Sequence, residues 1–254
     1  MSTNIDNNAA IRRKPLLVLV HGFLDHGGTW TTLAGQLSDA GYASTAPDLK
    51  GAGALQANPG PYALQQAVQD VLAHLGTPTQ PVVLVGHSMG AQIAELAAAR
   101  LGSAVAALVL ITPTPLGGNT LPDEVRTLLR ESGADTAAQQ GIRRAFGRNL
   151  SEQQILSATA PGVMMGKEAV RGYYDAFTGG DAAGESATAY AGPVLVLGAA
   201  EDPVIAPDMV RSIHQQRFPA AALDFIAGSG HWPQLEQPEA TARTIAAFLR
   251  GLDL

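Results

Sequence analysis

The sequence predicts an α/β fold built on a mostly parallel sheet of about six strands, with helices on both faces. Three observations carry that prediction. Short apolar, β-branched runs bounded by Gly and Pro recur along the chain, and helical patterns of about a dozen residues separate them. Most of these runs are apolar without alternation, as strands covered on both faces require. Strands that alternate with helices imply right-handed crossovers, which lay the helices on both sides of one sheet.

The first run, Leu16–Val20, is one strand long, and a helix is expected over Thr29–Ala40. The run Ala43–Ala46 follows, then a helix over Tyr62–Leu75, where Leu64, Ala67, Val68, Val71, Leu72 and Leu75 form one apolar stripe. Next come a strand at Val82–Val85, a helix at Met89–Leu101 and a strand at Ala107–Ile111. Between Thr112 and Pro193 no strand-like run occurs, yet the interval is too long for a plain loop. It reads as four helices, Pro122–Glu131, Thr136–Asn149, Ser151–Thr159 and Lys167–Phe177, with Thr178–Ala191 as a small-residue return linker. Asp123 and Glu124 suit the first helix dipole, and Ser151 with Gln154 suits a capping box. Alternation resumes with a strand at Val194–Leu197, a helix at Pro207–Arg217, a strand at Leu223–Ala227 and a helix at Pro238–Leu252. The expected organisation is a flexible N-terminal tail over residues 1–14, a core over 15–112 and 193–254, and a helical cap over 113–192 inserted after the fourth strand.

Composition narrows the function. With no cysteine, the chain excludes disulfide scaffolds, thiolate zinc sites, iron–sulfur clusters and a cysteine nucleophile. A net charge of -6 repels phosphate backbones, so no nucleic-acid partner is expected. Met1–Lys14 is polar and ends in positive charges, the reverse of a secretory signal. The run Leu16–Val20 falls far short of the ~20 residues that span a bilayer. A cytoplasmic protein without a membrane span is the expectation.

The strand Val82–Val85 runs into Gly86-His87-Ser88-Met89-Gly90 and then directly into a helix with Ala91, Ala94, Ala97 and Ala98. A serine on a strained strand-to-helix turn projects its hydroxyl above the sheet edge, and glycines two residues to either side relieve clashes there. The helix N-terminus beneath offers backbone N–H groups to a developing negative charge.

These residues resemble the α/β-hydrolase fold family, and the resemblance covers nearly the whole chain outside the insertion. Leu19-Val20-His21-Gly22-Phe23 is similar to the family's strand-end turn, and Pro47-Asp48-Leu49 with Gly51 and Gly53 to its next loop. The stretch His21–Trp30, with Ala46-Pro47-Asp48-Leu49 and the serine turn, also resembles the plant methylesterase and hydroxynitrile lyase branch. Gly90-Ala91 and Gly228-Ser229-Gly230-His231 depart from that branch. The resemblance implies an oxyanion hole made by the backbone N–H groups of Phe23 and Met89.

It also implies that the chain order is nucleophile, acid, histidine. Of six histidines, His74 and His214 lie on amphipathic helices, His87 precedes the serine, and His21 and His26 belong to the oxyanion turn. His231 follows the last strand in Gly228-Ser229-Gly230-His231-Trp232-Pro233, where an open parallel sheet collects reactive groups. After Val194–Leu197, Asp202 matches the family's acid spacing, with Glu201 as its rival; the turn after Ala107–Ile111 carries no carboxylate. The implied catalytic set is Ser88, Asp202 and His231, with no metal and no organic cofactor.

Leu24 and Trp232 are expected at the substrate pocket. Phe146, Met164, Met165, Tyr173, Tyr174 and Phe177 are the larger apolar groups of the insertion, read mainly as packing. Arg126, Arg130, Arg143, Arg144 and Arg148 read as a solvated helix face. The expected activity is hydrolysis of a carboxylic ester or lactone of a small to medium, weakly polar molecule. A hydroxynitrile lyase, another triad enzyme (C–C bond hydrolase, perhydrolase or amidase) and a non-catalytic small-molecule receptor are the alternatives.

Overall fold

Residues 14–254 are described by a computed structural model, so the expected tail lies outside the described residues except for Lys14. Its strands are β1 (Leu16–Val20), β2 (Ser44–Thr45), β3 (Val82–His87), β4 (Val105–Ile111), β5 (Val194–Ala199) and β6 (Ala222–Ile226). They form one six-stranded sheet in the order β2-β1-β3-β4-β5-β6, and every pairing is parallel. The helices are α1 (Thr31–Asp39), α2 (Leu64–Leu75), α3 (Met89–Leu101), α4 (Asp123–Arg130), α5 (Thr136–Phe146), α6 (Glu152–Ala158), α7 (Lys167–Gly179), α8 (Pro207–Arg217), α9 (Pro233–Glu236) and α10 (Pro238–Gly251).

Strand periodicity sorts the core into two layers. Val18, Val20, Leu84, Leu108, Leu110 and Val196 point to the side covered by α2, α3 and α8. Leu17, Leu19, Val83, Val85, Val109 and Leu197 point to the side covered by α1 and α10. The four inner strands are thus apolar on both faces, which is why their sequences run without polar alternation. At the sheet edge β6 is half exposed, with only Ile226 buried, so its residues alternate as the others do not.

The departures from expectation are local. The first helix begins as a 3-10 turn, Gly27–Trp30, because the His26 side chain accepts the Gly28 N–H and caps it. The β2 ladder shrinks to two residues at the other sheet edge. The helix expected to reach Asn149 stops at Phe146, where Gly147 takes an extended conformation. The capping box forms as expected, with the Ser151 hydroxyl on the Gln154 N–H and the Gln154 side chain on the Ser151 N–H. The helix α9 was not foreseen; Pro233 at its first position opens it. Four helices, α4 to α7, follow one another between β4 and β5. Among the described residues, no helix is long and apolar enough to cross a membrane.

Candidate active site

The chain leaves β1 toward β2 on one side and returns to β3 on the other, so the strand order reverses between β1 and β3. At such a switch point the loops at the C-terminal strand ends diverge and open a crevice. The turn after β1 holds Phe23 and Leu24, and the turn after β3 holds Ser88.

Ser88 adopts φ 54, ψ -118, a strained conformation for any side chain larger than glycine. Its neighbours make that strain possible. A Cβ on Gly86 would stand 2.2 Å from the Gly90 carbonyl oxygen, and one on Gly90 would stand 2.3 Å from the Val20 carbonyl oxygen. The glycines let α3 start directly against β1, and the Ser88 N–H is tied to the Ile111 carbonyl at 3.0 Å. As the first residue of α3, Met89 offers an N–H that no intrahelical carbonyl takes. The β1 turn is closed by the Asp25 N–H on the Gly22 carbonyl at 3.3 Å, with Leu24 held at φ 62 inside it.

Ser88, His231 and Asp202 are brought into one hydrogen-bonded chain. The Ser88 Oγ lies 3.1 Å from His231 Nε2, and His231 Nδ1 lies 2.8 Å from Asp202 Oδ2. The other carboxylate oxygen of Asp202 accepts the N–H groups of Val204 at 2.7 Å and Ile205 at 3.0 Å. All three residues are buried. Burial alone disfavours the His231 imidazolium, but Asp202, with smaller contributions from Asp25 and Glu236, outweighs it and raises the imidazole above its ordinary value. Burial likewise opposes ionisation of Asp202; His231 and the two backbone donors overcome it and hold this carboxyl below its ordinary range. The rival Glu201 instead pairs at the surface with Arg148 at 2.6 Å.

The other histidines are occupied elsewhere. His21 donates from Nδ1 to the Gly22 carbonyl at 2.9 Å and accepts the Leu49 N–H at 3.0 Å. His26 caps the 3-10 turn; His74 meets the Thr45 hydroxyl at 2.9 Å; His214 meets the Ala221 carbonyl at 2.9 Å.

A narrow cavity of about 40 Å³ opens over Ser88 and His231. The core lines it with Phe23, Leu24, Val204, Ile205 and Trp232, and the β4–β5 segment with Thr114, Asn119, Leu121, Leu129, Ile142, Phe146 and Phe177. Leu24 and Trp232, the two residues expected at a substrate pocket, both line this cavity. Of the six large apolar groups noted in the insertion, only Phe146 and Phe177 reach the cavity; Met165, Tyr173 and Tyr174 are packed in the core. Val204 and Ile205, two and three residues after Asp202, also line the cavity, although the sequence reading gives them no pocket role. Thr114 was missed too; its hydroxyl sits 3.4 Å from Ser88 Oγ.

Two charged residues depart from the sequence reading. Arg143 is not on a solvated face: its side chain is only 1 % exposed and its guanidinium meets Asp25 at 3.2 Å. Gln139, Ile142, Arg143 and Phe146 form the inward stripe of α5 at i, i+3, i+4 and i+7, a pattern hidden because half its members are polar. Arg126, Arg130, Arg144 and Arg148 remain on the surface, in ion pairs with acidic neighbours. Glu236, at the end of α9, is the second: the sequence assigns it no role. One of its carboxylate oxygens accepts the N–H groups of Gly230 at 3.0 Å, Arg148 at 2.7 Å and Asn149 at 2.7 Å, and the other accepts that of Trp232 at 3.1 Å. With the His231 N–H on the Phe146 carbonyl at 3.0 Å, this carboxylate stitches the His231 loop to the α5–α6 turn.

Comparison with known proteins places these features in context. The profile of the Alpha/beta hydrolase family matches residues 17–244. The chain is 33% identical over 135 residues to Lipase LipV of Mycobacterium tuberculosis, an alignment covering 52% of this chain and 50% of that protein. It is 34% identical over 149 residues to the pimeloyl-[acyl-carrier protein] methyl ester esterase of Xanthomonas oryzae, covering 58% of this chain and 56% of that protein. The chain thus spans about half the length of the curated relatives it matches. Among solved structures, a bromoperoxidase from Bacillus anthracis superposes with a TM-score of 0.81 at 18% identity, covering 94% of this chain and 93% of that one. An esterase from Exiguobacterium antarcticum gives a TM-score of 0.81 at 20% identity, covering 94% and 93%. At that identity the likeness establishes a shared fold.

Proposed function

The chain belongs to the alpha/beta hydrolase family, and from that premise we propose that it is a serine hydrolase cleaving a carboxylic ester or lactone of a small to medium, weakly polar molecule. The observation that carries this reading is the continuous path Ser88 Oγ–His231 Nε2–His231 Nδ1–Asp202 Oδ2 at the floor of a mostly apolar cavity. The names of the two sequence relatives, a lipase and a methyl ester esterase, support an ester as the substrate class.

Ser88 Oγ attacks the acyl carbon while its proton passes to His231 Nε2, and Asp202 holds the imidazole with its other hydrogen on Nδ1. The backbone N–H groups of Phe23 and Met89 take the charge that develops on the carbonyl oxygen. Each such donor contributes roughly 3–4 kcal/mol in comparable sites. As the tetrahedral intermediate collapses, the carbon–oxygen bond to the alcohol breaks and His231 returns the proton to the leaving oxygen. Water, deprotonated by the same His231, then cleaves the acyl-enzyme and restores Ser88. Residues 113–192 act as the cap over this site. Their Leu121, Leu129, Ile142, Phe146 and Phe177 face the core's Leu24 and Trp232 across the cavity, and among the described residues no Asp, Glu, Lys or Arg lines it. That lining favours an uncharged acyl group.

A substrate panel tests the proposal: esters of increasing acyl length, lactones, an amide and mandelonitrile, with Ser88→Ala as the blank. Serine-dependent ester or lactone cleavage is the expected result; cyanide release without ester cleavage would make the protein a lyase. The rate also has an expected pH dependence. His231 acts as a base only when neutral, and Asp202 raises its imidazole above the ordinary value. The acid limb of kcat/KM is therefore expected to have its midpoint above that of a free imidazole, with activity rising as pH increases through it. A profile flat from about pH 5 to about pH 8 would remove His231 as the base.

A further inference from the structure

We propose that Arg143 and Asp25 are positioning residues for the reaction, with Arg143 reaching down from the cap to hold Asp25, and Asp25 holding the oxyanion turn and the His231 loop together. The inference rests on the serine-hydrolase reading above. Its basis is a group of buried side chains that the proton path from Ser88 to Asp202 does not use.

Asp25 has a fully buried carboxylate, and each oxygen has a defined partner. Oδ1 meets Arg143 Nη2 at 3.2 Å. Oδ2 accepts the Trp232 indole N–H at 3.0 Å and faces His87 Nδ1 at 3.5 Å. The far side of His87 completes the link: its Nε2 donates to the His231 main-chain carbonyl at 2.7 Å. Asp25 therefore holds the indole beside the base by a hydrogen bond, and it packs against the ring of His87, which in turn holds the backbone of the base. Arg143 serves the opposite wall. The same Nη2 donates to the Leu24 carbonyl at 2.5 Å, tying down a residue at φ 62 next to Phe23, whose N–H is one of the two oxyanion donors. Its guanidinium also lies 5.8 Å from the centre of the Trp232 ring.

Fold stability does not account for this pair. Moving two charges out of water is costly, and apolar residues of the same volume commonly serve at least as well. An apolar pair would, however, leave the Leu24 carbonyl, the Trp232 indole and the His87 ring without a common anchor. The Leu24 carbonyl and the Trp232 indole lie on the two loops whose relative placement sets the distance between base and oxyanion hole, and His87 ends β3 with its Nε2 on the His231 carbonyl. A displacement near 1 Å in such a geometry costs about 100-fold in rate.

The test uses the intact protein and a reaction that needs only an activated serine. With a fluorophosphonate probe, Ser88 Oγ attacks phosphorus, fluoride leaves, and His231 takes the hydroxyl proton, so the labelling rate reads the site without knowledge of the substrate. Asp25→Asn and Arg143→Met are each expected to slow labelling by ~10–100-fold. Arg143→Lys should recover part of the loss, and the double variant should be no slower than the worse single one. The pH profile separates positioning from general stability. The titratable groups around His231 are Asp202, Glu236, His87 and Asp25, with Arg143 behind Asp25. Removing the Arg143 charge leaves Asp25 uncompensated and should move the acid limb of labelling upward; Asp25→Asn should move it downward. Unchanged labelling rates and an unmoved acid limb, with a lowered thermal midpoint as the only effect, would reduce the pair to a structural role. Should Arg143→Met not fold, Asp25→Asn and Arg143→Lys decide by the same criteria. Wild-type protein that resists the probe, or is labelled equally after Ser88→Ala, overturns the serine-hydrolase reading itself and this inference with it. Serine-dependent labelling unaffected by Asp25→Asn overturns this inference alone.

Discussion

Replacing Ser88 by alanine is expected to lower kcat for p-nitrophenyl esters by roughly 10⁴–10⁶-fold while the protein stays folded. The two halves of that expectation have separate causes. The expected loss rests on one oxygen atom, the Ser88 Oγ that lies 3.1 Å from His231 Nε2, and alanine removes it. Stability depends on the turn, and alanine accepts the φ 54 backbone no worse than serine does, because the strain is relieved by Gly86 and Gly90 rather than by the side chain. The hydroxyl's other contact, to Thr114 at 3.4 Å, is long and weak. Residual turnover from the oxyanion donors and the cavity would persist above the water rate. Ester hydrolysis within about tenfold of wild type, measured beside an unchanged thermal midpoint, would remove Ser88 as nucleophile.

The second large effect is expected at Asp202, where asparagine keeps the volume and is expected to cost about 10⁴-fold in kcat. The hydrogen-bond pattern explains why so conservative a change does so much. One carboxylate oxygen takes the Val204 and Ile205 N–H groups, and an asparagine carbonyl would stay with those two donors. Its NH2 group would then face His231 Nδ1. That nitrogen would have to accept rather than donate, moving the ring hydrogen to Nε2, where it blocks transfer of the Ser88 proton. Steady-state kinetics of Asp202→Asn beside Glu201→Gln separate the two carboxylates. A severe loss in the first and near wild-type activity in the second is expected. The reverse pattern would transfer the acid role to Glu201.

The residues of this chain of hydrogen bonds were legible because each follows a strand end. Continuous apolar runs located β1, β3, β4 and β5, and the turns after β3, β5 and β6 carry Ser88, Asp202 and His231. In a parallel sheet all those turns open on one side, so a linear pattern became a local cluster. The edge strands were less legible: β2 keeps two residues, and β6 alternates in burial because one side meets no neighbour. The Arg143–Asp25 pair was not legible at all. It joins positions 118 residues apart through the way α5 crosses the β1 turn, and no local periodicity encodes that crossing. Charged residues also read as solvent-facing by default, so Arg143 was assigned to the wrong side of its own helix. Glu236 escaped for a related reason: its partners are main-chain N–H groups, which carry no residue-type signal.

The Glu236 carboxylate bears on how the parts of this protein could be interchanged. The segment between β4 and β5 is contiguous in sequence and resembles a module that could be cut out and replaced by another. Yet two of the four backbone hydrogens on Glu236 belong to that segment, at Arg148 and Asn149, and two to the His231 loop, at Gly230 and Trp232. A chimaera made by grafting a foreign insertion would leave a buried anion with half its donors missing, right beside His231. Transplanting the α5–α6 turn together with its own carboxylate partner would preserve the seam, so the natural unit of exchange is the insertion plus the loop that follows β6.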